Sequence, residues 1–476
     1  MTNDKEQNMK LKPLTITILT FCVAAFSGMK AASAASFSVI ADGLYNAGGL
    51  SFSPDGSLYV TEAGIGGSGA CVPPASGQGD SLCYGTSGAV TKIENGKTER
   101  ILTGLPSLAL PDGTGAAGPR DIKFDATGKP YVLIGYGANP TFRDRNLGDT
   151  DLGKIIAPDF NTNSWTSVAD LANYELANNP DGSDVGSNPL GFVIDGNKLV
   201  ASDAGANDLL SFNANGSDLQ AIATFPEDIL ANPIFPSSGT PSNEPAQVPS
   251  QGEQVRSSQF ATQAVPSSVA KGPDGAYYVS QFTGFPFPEG GAKIYRVGAD
   301  GTSTVFADGF TQLTDLEFDA EGNLYALQYA NQSAWKGNFD GSVIKIAADG
   351  TRTTLLSGDG LESPSALTIG SDGAIYVTNR GDRPGLGQVI RIENTKSIPE
   401  PSSTFGVLAI AALGVGWLHK KRSPTPPNTV RLKGKGEREK VLNTSFHLYP
   451  LPFTQTTRKV KNAYPNRIAT PPINLK

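Results

Sequence analysis

Oxygen-bearing side chains recur at one position along this chain. Five short apolar runs end in an acid or an amide, at Glu62, Asp203, Gln281, Gln328 and Asn379, and a sixth ends in Ile134. Two further polar points, Arg120-Asp121 and Asp315, sit at the start of apolar runs, and Arg120 is the only cation of the set. Carboxylates and amides gathered around one axis suit a hard cation, and Glu62, Asp203 and Asn379 are the candidate calcium ligands. Arg120, Asp121, Gln281, Gln328 and Asp315 are the candidate ligand contacts, with Asp315 the weak candidate for a general base. The same polar set would also serve a water-filled channel and the locking of neighbouring elements. Hydration, binding and catalysis all stay open on these residues alone.

Histidine narrows the chemistry. Its two copies, His419 and His447, lie beyond the repetitive part of the chain. A Ser-His-Asp triad and histidine-ligated metals are therefore excluded from that part.

The elements that must position these residues are repeats. Gly48–Glu62 reads GGLSFSPDGSLYVTE: an apolar run, a tight Asp-Gly turn and a second apolar run. The pattern returns at 120–134, 190–203, 267–281, 314–328 and 365–379. Alternating apolar residues around Asp-Gly or Asn-Gly predict β-hairpins. A second strand pair follows most copies, at 89–102, 153–168, 209–224, 292–306 and 342–356. Four antiparallel strands repeated radially make propeller blades. The sixth copy has one further strand, 388–393, and the missing partner is found at 37–42. The expected fold is an all-β, six-bladed β-propeller over 36–394, its ring closed by pairing of 37–42 with 388–393, which removes a free sheet edge. Alternation is expected to bury Leu50/Phe52, Ile122/Phe124 and Leu316/Phe318 between blades, with Leu58/Val60 packing on the other side of the sheet. The longer connections all open on one face, where binding usually resides. The longest of them, 225–265, is Pro-, Ser- and Gln-rich and reads as a lid or spacer.

Charge and address come from the ends. The net charge of −7 hides a contrast: residues 36–397 carry 21 Lys+Arg against 40 Asp+Glu, hence −19, while 423–476 carry 10 against 2, hence +8. An acidic body argues against a nucleic-acid partner. Lys5, Lys10 and Lys12, an apolar stretch 14–28 and Ala31–Ala35 predict a signal peptide over 1–35 and export. Export leaves Cys71 and Cys83 in one loop of an oxidising compartment, and a disulfide between them is expected.

The repeats, with Asp-Gly followed by Leu-Tyr-Val-Thr-Glu or Ile-Tyr-Val-Thr-Asn, resemble NHL-type propellers, and also gluconolactonase-like and strictosidine-synthase-like ones. Residues 37–394 more closely resemble the ScyD/ScyE family of exported cyanobacterial propellers associated with scytonemin pigment clusters. The resemblance rests on Gly43–Gly64, the Cys71/Cys83 loop and Gly118–Gly137. It implies an exported propeller acting as a binding or scaffold protein, accessory to pigment or exopolysaccharide processes. Its loop-rich face would hold a small molecule, a glycan or a protein. The lactonase-like likeness implies the alternative, a calcium-dependent lactonase or esterase in the channel. At the C-terminus, Pro399-Glu400-Pro401, the apolar stretch 404–418 and the basic run His419–Arg422 resemble a PEP-CTERM sorting signal over 395–422. That implies a membrane-embedded exosortase as partner, transient anchoring by a helix at 404–418, and a destination in the periplasm, outer envelope or medium. The basic, Pro-rich tail 423–476 departs from such signals, which end soon after the basic run; it reads as disordered.

Overall fold

The computed structural model describes residues 37–74, 80–235 and 259–393. The expected signal peptide, the Pro399-Glu400-Pro401 motif, the 404–418 stretch and the basic tail lie outside the described residues. Among the described residues, no helix is long and apolar enough to cross a membrane.

Strands dominate, and hydrogen bonding divides them into six sheets of four or more strands, with one extra two-stranded ribbon. Each sheet begins with an inner strand: Ala47–Phe52, Pro119–Phe124, Pro189–Asp195, Pro266–Lys271, Leu313–Phe318 and Ala366–Ile369. Each inner strand packs beside the next, and the last beside the first. The chain is a six-bladed β-propeller. Blades 1 to 6 are numbered here by those strands. Blade 6 closes the ring, because Phe37–Tyr45 pairs with Pro384–Ile392 in the register Phe37↔Ile392. The ends of the propeller are thereby joined by backbone hydrogen bonds, and no blade is left with an unpaired gap.

Small residues let the six inner strands converge. A Cβ on Gly49 would lie 2.7 Å from the Asp121 Cα, and one on Gly191 would lie 3.0 Å from the Ser268 Cα. Outside this ring, apolar side chains fill the wedges between blades. Phe52 of blade 1 meets Tyr376 of blade 6 edge-on at 5.0 Å, and Tyr278 of blade 4 meets Phe318 of blade 5 at 4.9 Å. One sequence expectation is corrected here. Leu58 and Val60 do not pack on the far side of the sheet from Leu50 and Phe52. They are their direct cross-strand partners, Leu50↔Val60 and Phe52↔Leu58, and share one apolar cluster. Facing residues of an antiparallel pair point to the same side. It is Tyr59 that turns to blade 2, against Phe124 at 4.8 Å.

Blade 1 carries the disulfide, Cys71 facing Cys83 across a short strand pair. A closed loop of this length stabilises by roughly 3 kcal/mol in the chain-entropy model. Replacing both cysteines by serine is expected to lower the melting temperature by about 4 °C for a domain of this size; calorimetry under oxidising conditions checks it. The two ends of the long 225–265 connection pair as a ribbon, Asp228–Ala231 with Gln259–Thr262. Residues 236–258 lie outside the described residues.

Candidate functional site at the channel mouth

The site begins with a local irregularity repeated around the ring. In blades 2 to 5 the inner strand carries one extra residue relative to its neighbour, between Pro119 and Asp121, Pro189 and Gly191, Pro266 and Ser268, and Leu313 and Asp315. Blade 1 has the same shift between Ala47 and Leu50. A bulge of one residue re-aims a side chain that strict alternation would send elsewhere. The bulged residues Arg120, Leu190, Ser267 and Thr314 join Asp121, Gly191, Ser268 and Asp315 in lining one open cavity. Leu190, Phe282, Tyr329, Ala116 and Ala117 give it an apolar wall.

Three of the five predicted contact residues come together here: Arg120, Asp121 and Asp315. Their roles differ. Asp121 Oδ2 accepts the Phe192 N–H of blade 3 at 3.1 Å, while Oδ1 accepts its own Ile122 N–H at 2.8 Å. Asp315, three blades away, does the same: Oδ2 accepts the Leu367 N–H of blade 6 at 2.8 Å, and Oδ1 accepts Leu316 N–H and the Ser268 hydroxyl of blade 4. Both carboxylates therefore latch one inner strand to the next. Burial pushes both up from the ordinary range, Asp121 to about 6, against the pull of Lys123.

Arg120 is different. Its Nε is buried without an acceptor, and the guanidinium makes no ion pair among the described residues. Its side chain runs past Gly135, where a Cβ would come 3.0 Å from the Arg120 Cγ, so the glycine makes room for it. Burial pushes its pKa down, while Asp121, Asp315 and Tyr329 pull it back up. An arginine remains a cation in any such setting. A half-buried guanidinium with an unused donor beside an apolar wall can accept an anion.

Deeper in the channel lies a second charged layer, absent from the sequence-derived set. Lys123 Nζ stands 3.4 Å from Asp121 Oδ1. Glu317, at the matching place of blade 5, accepts from the Thr368 hydroxyl and Ile369 N–H, and burial pushes it up to about 7. A signal was present in the sequence: RDIKF and TDLEF carry opposite charges at a position that reads Ser51, Val193, Ala270 and Thr368 in the other repeats.

The acids and amides at the ends of the second strands are placed elsewhere. Glu62 is 1% exposed and bound by Arg100 through both oxygens at 2.8 and 2.7 Å, with Thr91 and the Tyr45 N–H also donating. Asp203 accepts the N–H groups of Asn188, Gly205 and Ala206 and the Ser187 hydroxyl. Asn379 accepts the Glu362 N–H and donates to Gly360 O and Gln388. Gln281 bridges Asp228 and the Lys293 N–H, and Gln328 bridges the Thr311 N–H and Asn331. Each braces loops beside its own blade. Glu62, Asp203 and Asn379 belong to blades 1, 3 and 6, and their donor-filled surroundings do not fit one shared calcium ion. Among the described residues, no three Asp, Glu, His or Cys side chains form a group able to hold a metal.

No family model matches the chain, and no curated protein matches it. Solved structures do. A gluconolactonase from Xanthomonas campestris is 10% identical over 75% of this chain and 90% of its own, with a TM-score of 0.41. A luciferin-regenerating enzyme is 11% identical over 76% and 96%, also at 0.41. A virginiamycin B lyase from Staphylococcus aureus is 12% identical over 71% and 78%, at 0.37. Likeness this distant carries no functional argument, and the propeller assignment stands on the sheet topology itself.

Proposed function

We propose that the chain is an exported, envelope-associated propeller that binds a small molecule at its loop-rich channel mouth. The ligand carries an anionic group on an apolar body. One observation carries this reading: the Arg120 guanidinium, its buried Nε without an acceptor, lines an open cavity together with Leu190, Phe282 and Tyr329. Binding is favoured over hydrolysis because Asp315, the candidate base, already accepts three hydrogen bonds, and because the candidate calcium ligands are engaged in separate blades. Export rests on the N-terminal sequence, and sorting by an exosortase rests on Pro399-Glu400-Pro401. A role beside extracellular pigment or exopolysaccharide follows from the ScyD/ScyE resemblance.

The test is a thermal-shift screen of aryl carboxylates, phenolates and uronic acids, each against its neutral amide or methyl ester. The anionic member of a pair is expected to raise the melting temperature and the neutral one to leave it unchanged. Equal shifts would remove the anion from the proposal. Release of product from esters or lactones, abolished by EDTA, would favour the hydrolase instead.

A further inference from the structure

Away from the channel, the connection from blade 2 to blade 3 contains the helix Leu171–Asn178, capped by the Asp170 side chain on the Asn173 N–H. Its buried face presents Glu175, 1% exposed. The turn that follows the helix is tied to the start of the strand Asp208–Asn213, Asn207 donating to Asp181 at 3.0 Å, and Asp208, next to it, is 0% exposed. All four oxygens of these two carboxylates are buried without a hydrogen-bond partner. For Glu175 the Gly186 N–H is the sole lowering influence, and for Asp208 there is none. The charges acting on the pair are all negative: Asp203 and Asp181 act on both, and Glu175 acts on Asp208.

The surrounding acids are not in the same condition. Asp203 is filled by four donors, and Asp181 accepts from Ser183 and Asn207. The fold therefore supplies donors to the acids it uses as braces, gives Asp208 none and leaves Glu175 with only the influence of the Gly186 N–H. Two buried carboxylates without donors cannot both stay charged and unpaired. They need a proton each or one divalent cation between them. The Oδ1 of Asn179, whose N–H closes the helix on Glu175 O, is likewise buried and unpartnered, and adds a third oxygen to the neighbourhood.

We propose that Glu175 and Asp208 bind one divalent cation of the calcium type between the helix Leu171–Asn178 and the strand Asp208–Asn213. An all-oxygen environment selects a hard ion. Among the described residues no group of three Asp, Glu, His or Cys side chains forms there, so carbonyls and water complete the shell. Affinity then falls in the weak range of extracellular modules, about 10⁻⁴–10⁻³ M. The ion would pin the blade 2–3 connection to blade 3.

The experiment titrates calcium chloride into the full, metal-stripped chain at neutral pH, by calorimetry and by thermal melting. One ion per chain is expected, with a rise of about 4 °C at a calcium concentration 100-fold above Kd. Glu175→Gln and Asp208→Asn are each expected to abolish both signals, and Arg120→Gln is expected to keep them, which separates this site from the channel mouth. Direct titration of the unaltered chain decides the matter even if a variant fails to fold. Absence of calcium binding, or binding unchanged in both variants, overturns the proposal. A melting temperature insensitive to calcium but rising on acidification only when Glu175 and Asp208 are present would assign protons to the pair instead.

Discussion

Asp315→Ala is expected to lower the melting temperature by about 4 °C, the largest loss for any single channel residue. Three donors lose their acceptor: the Ser268 hydroxyl, the Leu316 N–H and, across the blade boundary, the Leu367 N–H. The hydroxyl can turn to another acceptor, but the two buried N–H groups cannot. Leaving a buried donor unsatisfied costs about 1–3 kcal/mol, offset in part by no longer burying a carboxylate. A net loss of about 3 kcal/mol divided by an unfolding entropy of roughly 2.1 cal/mol/K per residue gives the stated shift. Asp315→Asn keeps one acceptor oxygen and should lose about half as much. Calorimetric melting of the two variants checks the order. A loss confined to Asp315→Ala but absent from Asp121→Ala would show that the two latches are not equivalent, since Asp121 joins blades 2 and 3 in the same manner.

Stability should also fall as pH rises from 5 to 8, the reverse of the usual behaviour of paired surface carboxylates. Burial pushes Asp121 up from 3.8 to about 6 and Glu317 up from 4.5 to about 7. In the unfolded chain both acids release their protons near their ordinary values. Between those values and the raised ones the folded state holds more protons, so unfolding releases them and stability drops with rising pH. Their contribution is complete below about pH 4 and is lost by about pH 7.5. At 1.36 kcal/mol per unit, Glu317 accounts for at most about 3 kcal/mol. Acids held low by hydrogen bonds, such as Asp55, Asp125 and Asp319, act oppositely and lose stability as pH falls below 4. Maximum stability should therefore lie near pH 5. Glu317→Gln should flatten the limb from pH 5 to 8, measured as melting temperature against pH; an unchanged limb would show that Glu317 is solvated. In calcium-free buffer Glu175, pushed up to about 8, adds to the same limb, so Glu317→Gln removes only part of the slope.

The blades were legible because two signals coincide in each repeat: period-two apolar alternation and an Asp-Gly or Asn-Gly turn. The ring closure was legible because strand arithmetic left one strand missing at one end and spare at the other. Face assignment was less secure. Counting alternation along each strand separately put Leu58 and Val60 on the wrong side, since only cross-strand register relates the two counts. The site was harder for the same kind of reason. A strand-end acid such as Glu62 looks free in sequence, and its partner Arg100 lies 38 positions away across the blade. The bulge that turns Arg120 into the channel leaves no mark in composition. Glu175 and Asp208 are ordinary acids until the fold buries their oxygens without hydrogen-bond partners.

The most direct measurement is the affinity of the most strongly stabilising anion, by calorimetry, for the unaltered chain and for Arg120→Gln and Arg100→Gln. A charge-assisted hydrogen bond contributes about 1.5–3 kcal/mol, so Arg120→Gln should weaken binding by about 10- to 150-fold. Arg100, engaged with Glu62 in blade 1, should leave affinity unchanged when replaced. Equal affinity in the unaltered chain and in Arg120→Gln would contradict a binding site at the channel mouth.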